Sequence, residues 1–365
     1  MQLSDIILQS AQAALSLQSS DGSFPAGHNG PYCDKETPVR NTAHWLITLL
    51  KAYELSGDAK FKDAASRATD YLAAPEARPM KKTFFCRTKP GKDFCNGLIG
   101  QAWAIEALVL AAEKLEDHRS LELAKEVFLL HPFDYEVGLW RCVNVDGSYA
   151  KFDMTFNHQL WFAAAGAMLL DTAANDSICR PVIRFLDRAQ ESHLQVDTSG
   201  RIIHEIELHS NLNVVAKTSR FLCHPLLALR EKAQMAHKEI GYHAFNLYAF
   251  ALLKQRLPEH AFWHSEKFKS LLNFINRIEF ITGLDNNKFG YPYNPPGFEV
   301  AFAIQVFDLE LSSGVKPAEW WVEQQLLRCY SLEEKMMNRN TEDPETSSAR
   351  IYEATRLEDM EINIG

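Results

Sequence analysis

The chain has 365 residues and a formal net charge of −9, with 46% hydrophobic and 23% charged residues. This composition is ordinary for a globular protein with a large core. The acidic balance argues against nucleic acid as a partner, because phosphate binding requires a basic face. No apolar run approaches the roughly 18 residues of a membrane helix, so no membrane partner is expected.

The N-terminal stretch and the cysteines predict a cytoplasmic protein. Residues 1–15 are amphipathic and lack a basic n-region, which is not the pattern of a signal peptide. The seven cysteines are an odd number and form no CxxC pair. Free thiols in a reducing compartment are therefore expected.

Six apolar segments rich in alanine, leucine and aromatic residues predict inner helices. The first five are hydrophobic on nearly every face, as helices buried on all sides must be. The six segments are Arg40 to Leu55, Gly97 to Leu115, Phe156 to Ala173, Gly241 to Leu257, Gly297 to Leu311 and Ser348 to Leu357.

A short turn and an amphipathic helix follow each of the first five inner helices. The sixth has no such partner, but the amphipathic segment Ser4 to Gln18 supplies one from the N-terminus. Six helical hairpins would then close into one all-α domain over residues 1–365, an (α/α)6 toroid. An open helical solenoid is the alternative, and the closure of the ring together with unequal long loops favours the toroid.

Long irregular segments precede the inner helices, for example residues 21–39, 83–96 and 285–296. Because the inner helices run parallel, these loops and the positive helix N-termini fall on one face, which predicts a pocket at one rim. An insertion at about residues 194–238 precedes the fourth inner helix. It contains an alternating stretch around a Ser-Gly turn that predicts a β-hairpin, and residues 138–153 predict a second hairpin around Asp-Gly.

Amide and aromatic side chains recur near the rim ends of the inner helices. In the first and third, an Asn precedes a Trp by four residues, so both side chains would line one wall of a sugar site. The alternative is that the Asn residues are helix caps and the Trp residues belong to the core. The positions are Asn41, Trp45, Asn96, Gln101, Trp103, Asn157, Trp161 and Asn246.

His158 and His243 begin the third and fourth inner helices, and His44 lies in the first turns of the first. Histidine is the commonest general acid or base near neutral pH, so His158 and His243 facing each other would remove and return a proton. Burial in the core is the alternative for each of them. The other catalytic candidates are the rim carboxylates Asp153, Glu299 and Glu353, and Asp34 is a further carboxylate at the rim.

Tyr291 and Tyr293 are expected to stack on a sugar ring. Arg40 and Arg350 lie at the N-termini of inner helices, where two guanidinium groups would repel unless an anion lies between them. This arrangement favours an anionic sugar or glycan as the small-molecule partner. The alternatives are that Arg350 pairs with Glu353, three residues further along the last helix, or that either arginine is neutralised by Asp34 or by the carboxylate at position 153.

Cys223 and His224, together with Cys95 or Cys142, would supply the ligands of a zinc site. No CxxC or HExxH spacing requires one, so no metal is expected. GxGxxG and P-loop motifs are absent from the sequence, and no nucleotide or other cofactor is expected.

The six hairpins with long loops before the inner helices resemble the α/α-toroid superfamily. The segment GLIGQAWAIEAL, residues 97–108, is similar to inner-helix segments of N-acylglucosamine 2-epimerase-like enzymes and unsaturated glucuronyl hydrolases. The resemblance implies chemistry on a sugar. In epimerase-like enzymes a pair of histidines transfers the proton, a role that would fall to His158 and His243.

Two other toroid families are also similar at single segments. LQSSDGSF, residues 17–24, is similar to the Gln/aromatic repeat of squalene-type cyclases, but it occurs once and the DxDD motif is absent. Cys223-His224 resembles the Cys-His step of the zinc-binding lanthionine cyclases, with Pro225 in the place of their glycine.

The leading hypothesis is an enzyme that acts on a sugar or a uronic acid. It would work either by proton transfer between His158 and His243, with Arg40 or Arg350 stabilising negative charge, or by hydrolysis or lysis with Asp153 as the acid. A glycan- or peptide-binding toroid without catalysis and a zinc-dependent cyclase are the alternatives.

Overall fold

The computed structural model describes residues 1–172, 176–207, 225–309 and 316–364. These parts of the chain contain thirteen α-helices, and a 3-10 segment, Arg350–Arg356, follows the last of them directly. The helices are α1 Leu3–Ala14, α2 Val39–Ser56, α3 Ala59–Ala73, α4 Gly97–Leu115, α5 His118–Leu129, α6 Phe156–Met168, α7 Asp176–Arg188, α8 Pro225–Arg256, α9 Glu266–Phe274, α10 Ile278–Gly283, α11 Pro296–Val306, α12 Ala318–Cys329 and α13 Pro344–Ala349.

The inner helices form a closed ring. Helices α2, α4, α6, α8 and α11 pack each against the next, α11 packs against the 3-10 segment Arg350–Arg356, and this segment returns to α2. Helices α3, α5, α7 and α12 pack outside their preceding inner helices. The predicted all-α toroid of six hairpins is confirmed.

Burial explains which helices lie inside. In α4 nearly every residue from Gly97 to Val109 is buried, and the carboxylate among them, Glu106, accepts a hydrogen bond from Arg356 at 2.6 Å. The outer helices bury one face only, and capping carboxylates mark the starts of α3 and α5. Asp58 accepts from the Lys60 amide at 3.1 Å at the start of α3.

The two ends of the chain meet. Helix α1 packs against α2 and against Arg350–Arg356, so it supplies the outer partner that the last inner segment lacks. The Leu3 amide donates to the Met360 carbonyl at 2.9 Å, and an antiparallel bridge joins Gln2 to Glu361. The predicted role of the N-terminal amphipathic helix is confirmed.

Three elements differ in detail from the prediction. The fourth inner helix begins at Pro225 rather than Gly241, because residues 226–240 contain neither glycine nor proline and continue the helix into the expected insertion. The sixth inner helix is α13 followed by 3-10 turns. The hairpin expected after residue 193 is reduced to one bridge, Val196 with Ile202, around a turn at 197–200.

The other predicted hairpin is present. Strands β2 Leu139–Val143 and β3 Tyr149–Phe152 pair antiparallel, and β1 Phe133–Asp134 adds a third strand in the order β1-β2-β3. The chain then enters α6 directly after β3, which brings the end of the hairpin to the rim of the ring. Among the described residues, no helix is long and apolar enough to cross a membrane.

Candidate functional site

A cavity of about 170 Å³ lies at the rim where the inner helices begin. Side chains from the first loop, from the loop before α4, and from α4, α6, α8 and the loop before α11 reach it. Its lining residues are Asn29, Tyr32, Asp34, Arg87, Lys92, Asn96, Ile99, Trp103, Thr155, His158, His204, Lys238, Tyr242, Phe245, Tyr293 and Asn294.

His158 lines the cavity at the start of α6, paired with Asp153. The Nδ1 atom of His158 lies 2.6 Å from Oδ2 of Asp153. Burial alone would raise the pKa of Asp153, but the charge and hydrogen bond of His158 and the Thr155 amide bring this pKa down to about 2. An ionised carboxylate at Nδ1 fixes the tautomer that carries its proton there, so Nε2 is left as the basic atom on the cavity side.

Local backbone geometry holds the Asp153 carboxylate in place. The Thr155 amide donates to its Oδ1 at 3.0 Å, and the Cys142 thiol of β2 lies 3.9 Å from Oδ2. Gly97, the first residue of α4, packs against the same group. A Cβ atom at this glycine would lie 2.5 Å from Oδ2 of the carboxylate and 3.1 Å from Nδ1 of His158.

A second histidine, His204, lines the cavity from the insertion. Its backbone is fixed on both sides, since the Phe156 amide donates to its carbonyl at 2.9 Å and its own amide donates to Glu239 at 3.3 Å. Its ring lies 5.2 Å from the Tyr242 ring. Burial, with the charges of Lys238 and His158, lowers the pKa of His204 to about 3, so the ring is neutral at physiological pH.

Tyrosine hydroxyls form a connected wall of the cavity. The hydroxyls of Tyr32 and Tyr242 lie 2.8 Å apart, and the Tyr293 hydroxyl donates to Oδ1 of Asn29 at 2.7 Å. Asn29 has a left-handed backbone conformation, with φ of 60°, that turns its amide inward. Rings with hydroxyl edges suit a sugar, which has apolar faces and polar rims.

Charged groups also line the cavity. Asp34 accepts from Lys92 at 2.7 Å and from Arg87 at 3.2 Å. Burial alone would raise the Asp34 pKa, but these cations lower it overall, so the carboxylate stays ionised. Lys238 is half-buried, and burial lowers the pKa of its ammonium group.

Arg40 lies behind the cavity wall and is already neutralised. Its guanidinium lies 3.4 Å from Glu36, donates to Asn29 at 3.0 Å and stacks on the Trp103 ring at 4.2 Å. Burial raises the pKa of Glu36 to about 7, although the positive charge of Arg40 acts to lower it. The expected neutralising carboxylate, Asp34, pairs with other cations.

Arg350 is also neutralised internally. It donates to Glu299 at 2.9 Å, bonds to Glu353 and donates to Asn294 at 2.8 Å. Burial raises the pKa of both carboxyl groups. The two arginines therefore do not need an anion between them, which corrects the argument for an anionic substrate that was based on their repulsion, and neither glutamate lines the cavity.

His243 lies outside the cavity, which corrects its expected position. Its Nε2 is 2.9 Å from the Leu271 carbonyl and its Nδ1 accepts from the Ile202 amide at 3.4 Å. Burial lowers the pKa of His243 to about 4. Both ring nitrogens therefore bond to backbone groups that pack against α8. Successive side chains of a helix point about 100° apart, so His243 faces away from the cavity that its neighbour Tyr242 lines.

His44 is buried behind Trp103. Its ring stacks on Tyr352 at 4.2 Å and meets the Trp103 ring edge-on at 5.5 Å. Burial, with the charges of Arg40 and Arg350, holds the pKa of His44 well below its ordinary value.

Most of the predicted amide and aromatic positions hold the ring together instead of lining the cavity, whereas Trp103, Tyr293 and Asn96 do line it. Gln101, for example, accepts from the Phe84 amide at 2.7 Å and donates to the Cys95 carbonyl at 2.8 Å. The buried positions away from the cavity are Asn41, Trp45, Gln101, Asn157, Trp161, Asn246 and Tyr291.

The predicted zinc ligands Cys223 and His224 lie outside the described residues. Within the described ranges, no three His, Cys, Asp or Glu side chains are grouped as a metal site requires. Cys95 and Cys142 are free thiols there, and burial raises the pKa of both.

Several residues that line the cavity carried little signal in the sequence. His204 lies in the stretch predicted as a hairpin, and Lys238 lies at the end of the insertion. Nothing in the sequence indicated that these two side chains line the same cavity. Tyr32 and Asn29 lie in the first long loop, whose length was the available signal. Tyr242 directly precedes His243, so a shift of one residue in the helix register would have identified it.

No protein-family model matches the sequence. Solved structures with a similar fold include cellobiose 2-epimerase from Bacillus thermoamylovorans B4167, with 11% identity, 94% of each chain covered and a TM-score of 0.65. A D-mannose isomerase and an unsaturated glucuronyl hydrolase specific for heparin each have 13% identity and cover 97% of this chain and 95% of theirs, with TM-scores of 0.62 and 0.60. At these identities the likeness is one of fold, the α/α toroid of carbohydrate-active enzymes.

A relative shares the sequence as well as the fold. Archaeal glycosylation protein Q of Haloferax volcanii is 45% identical over 370 aligned residues, which cover 99% of this chain and 98% of the relative. An identity of this size along nearly the whole length shows common descent, and the chain belongs to the family of archaeal glycosylation protein Q.

Proposed function

We propose that the chain is a sugar epimerase or isomerase that moves a proton between His158 and His204 across the rim cavity. The observation that carries the proposal is that two histidines from different segments line one cavity, the first oriented by Asp153. Histidines placed in this way supply a base and an acid to the two sides of a bound molecule. His204 takes the role that the sequence had suggested for His243.

The mechanism starts at the carbon next to the carbonyl of an open-chain sugar. Nε2 of His158 removes the proton from this carbon, and the electron pair moves to the carbonyl oxygen to give an enediolate. Asp153 stabilises the imidazolium that forms. On the opposite side, the neutral His204 ring takes up a proton from solvent and delivers it to the same carbon. The electron pair returns from the oxygen to re-form the carbonyl, the carbon is inverted, and His158 releases its proton to solvent.

Other cavity residues would bind the sugar and the developing charge. The linked hydroxyls of Tyr32 and Tyr242 can donate a hydrogen bond to a sugar oxygen. The Trp103 and Phe245 rings give the apolar face on which a pyranose ring stacks. A cavity of about 170 Å³ has room for a single sugar ring as the reacting unit.

A hydrolase is less well supported by this geometry. Acid-assisted cleavage needs a carboxylic acid that holds its proton near neutral pH. Asp34 is the one carboxylate that lines the cavity within the described residues, and Lys92 and Arg87 keep it ionised. The pKa of Asp153 is lowered to about 2, so it acts on His158 and not as an acid.

The biological setting of the proposed reaction follows from the relative. Because that protein is named for archaeal glycosylation, we place the reaction on a sugar that belongs to a glycan or is on its way into one. The cytoplasmic location remains a prediction from the sequence.

Proton exchange in D₂O tests the proposal. Reducing hexoses and hexuronates are incubated with the protein, and ¹H NMR follows loss of the signal at the carbon beside the carbonyl. Wild type is expected to wash out this proton from both epimers. In His204→Gln one epimer should still exchange while conversion stops, because His158 alone works from one side.

The matched control is His118→Asn, at an exposed histidine that does not line the cavity. It should exchange and convert sugars at the wild-type rate. Absence of exchange for every sugar with wild type, or equal activity of the His158→Asn variant, would refute the proposal.

A further inference from the structure

Lys238 is a half-buried cation beside two tyrosine rings. Within the described residues no Asp or Glu oxygen lies within 4.0 Å of its ammonium group. The carboxylates of Glu205 and Glu239 act on its charge from a greater distance. The nitrogen lies 5.5 Å from the ring centroid of Tyr32 and 5.7 Å from that of Tyr242. Cation–π contacts compensate only partly for lost hydration, so a charge in this position favours an anion beside it.

A second ammonium group shares the same ring. Nζ of Lys92 lies 5.7 Å from the centroid of Tyr32, so the two cations converge on one aromatic side chain. Asp34 is bound to Lys92 at 2.7 Å and is shared with Arg87. The lining of the cavity in the described chain has three fixed cations and one carboxylate, on a protein whose net charge is −9.

The backbone on either side of Lys238 is held firmly. Nδ2 of Asn287 donates to the His237 carbonyl at 2.8 Å, and Glu239 lies 3.2 Å from Arg201. Lys238 also borders an outer groove that contains Lys288 and Phe289, and it therefore stands between the cavity and the outside. A fixed cation at such a junction would meet a substituent that projects outward from a sugar held in the cavity.

We propose that the substrate carries a negatively charged group, a carboxylate or a phosphate, that binds between the ammonium groups of Lys238 and Lys92. The inference rests on the proposed function, because it adds the substrate class to the same cavity. Lys238 is then the residue that selects acidic over neutral sugars. The charge of this site comes from residues other than Arg40 and Arg350, which internal carboxylates neutralise.

Isothermal titration calorimetry at low ionic strength tests the inference with three compounds: D-glucuronate, α-D-glucose 1-phosphate and D-glucose. At least one anionic compound is expected to bind wild type at least about ten-fold more tightly than glucose. Lys238→Met should weaken only the anionic compounds, by about ten- to hundred-fold, as loss of a charge-assisted hydrogen bond does. The relative affinities of glucuronate and glucose 1-phosphate then identify the carboxylate or the phosphate as the source of the charge.

Lys62→Met is the matched control, because Lys62 also holds its ammonium near a tyrosine ring, Tyr53 at 5.6 Å, but is exposed on α3. It should bind all three compounds as wild type does. Lys238→Arg keeps the charge and should retain most of the preference. Equal binding of glucose and the anions, no binding of any compound, or unchanged binding in Lys238→Met would each overturn the inference.

The two proposals fail separately. If anions bind through Lys238 but no sugar exchanges its proton in D₂O, the epimerase proposal fails and the anion site stands. If neutral sugars exchange and convert as fast as acidic ones, the anion site fails and the epimerase proposal stands. His158→Asn should bind the anions normally, since it removes the base and not the cation.

Discussion

The backbone of Gly97 lies against the carboxylate of Asp153 so closely that no side chain fits between them. A Cβ at position 97 would be 2.5 Å from Oδ2, and the glycine has a φ of +58° that other residues rarely adopt. The absence of a side chain at the start of α4 therefore sets the position of the Asp153–His158 pair.

Gly97→Ala is expected to lower turnover by about ten- to hundred-fold, because the methyl group would displace the carboxylate and rotate His158. Steady-state kinetics on the sugar identified by proton exchange measure the loss. Gly57→Ala is the control for backbone strain, since Gly57 has a φ of +68° and no atom within 4 Å of a built Cβ. Equal activity of both variants would show that the pair tolerates the displacement.

Asp153→Asn should reduce the catalytic rate by about 10²- to 10⁴-fold with a small effect on sugar binding. The amide no longer stabilises the imidazolium and permits the wrong tautomer of His158. Rates and calorimetric affinities measured together separate the two effects. Asp146→Asn, at the exposed turn between β2 and β3, should leave both quantities unchanged. A rate within two- to three-fold of wild type for the Asp153 variant would contradict the assigned role.

The same carboxylate should make stability depend on pH in the acid range. Its pKa is about 2 in the folded protein against an ordinary value of 3.8, so its contribution is present above about pH 4 and is lost as the pH falls toward 2. Between these limits we expect wild type to lose on the order of 2 kcal/mol more unfolding free energy than Asp153→Asn. Urea unfolding at a series of pH values measures it, and parallel curves for the two proteins would count against the depressed pKa.

Removing Arg350 should leave Glu299 and Glu353 buried without a cation. We expect Arg350→Met to lower the unfolding free energy by about 3–5 kcal/mol, partly restored when Glu353→Gln is added. Denaturant unfolding checks both variants. The control is Lys269→Met on the exposed surface of α9, where its ion pair with Glu266 should contribute no more than about 1 kcal/mol. A loss of similar size in both single variants would contradict the burial argument.

The fold could be predicted because hydrophobic periodicity and loop length both record burial. A helix such as α4 is apolar on all faces only when neighbours surround it, and the amphipathic Ser4 to Gln18 segment has one face that needs a partner. These patterns survive errors of one or two residues in the helix limits. The missing outer helix could therefore be assigned to the N-terminus without knowledge of any contact.

The site could be predicted only in part, because the side chain that faces the cavity changes when the helix register shifts by a single residue. His158 lines the cavity while its neighbour Asn157 is buried, and Tyr242 lines it while His243 is buried. A helix that is apolar all round gives no signal that separates these faces. His204 comes from an irregular segment, where spacing carries still less information on position.

The meeting of Leu3 with Met360 has a consequence for the order of folding. The last inner segment, Arg350–Arg356, needs α1 and α2 on one side and α11 on the other, so the ring is incomplete until residues near 360 have been synthesised. Earlier hairpins can form as they are made, but the wall that holds Arg40, His44 and Tyr352 together closes last. Assembly of the rim is therefore a late event in folding rather than the product of any one hairpin.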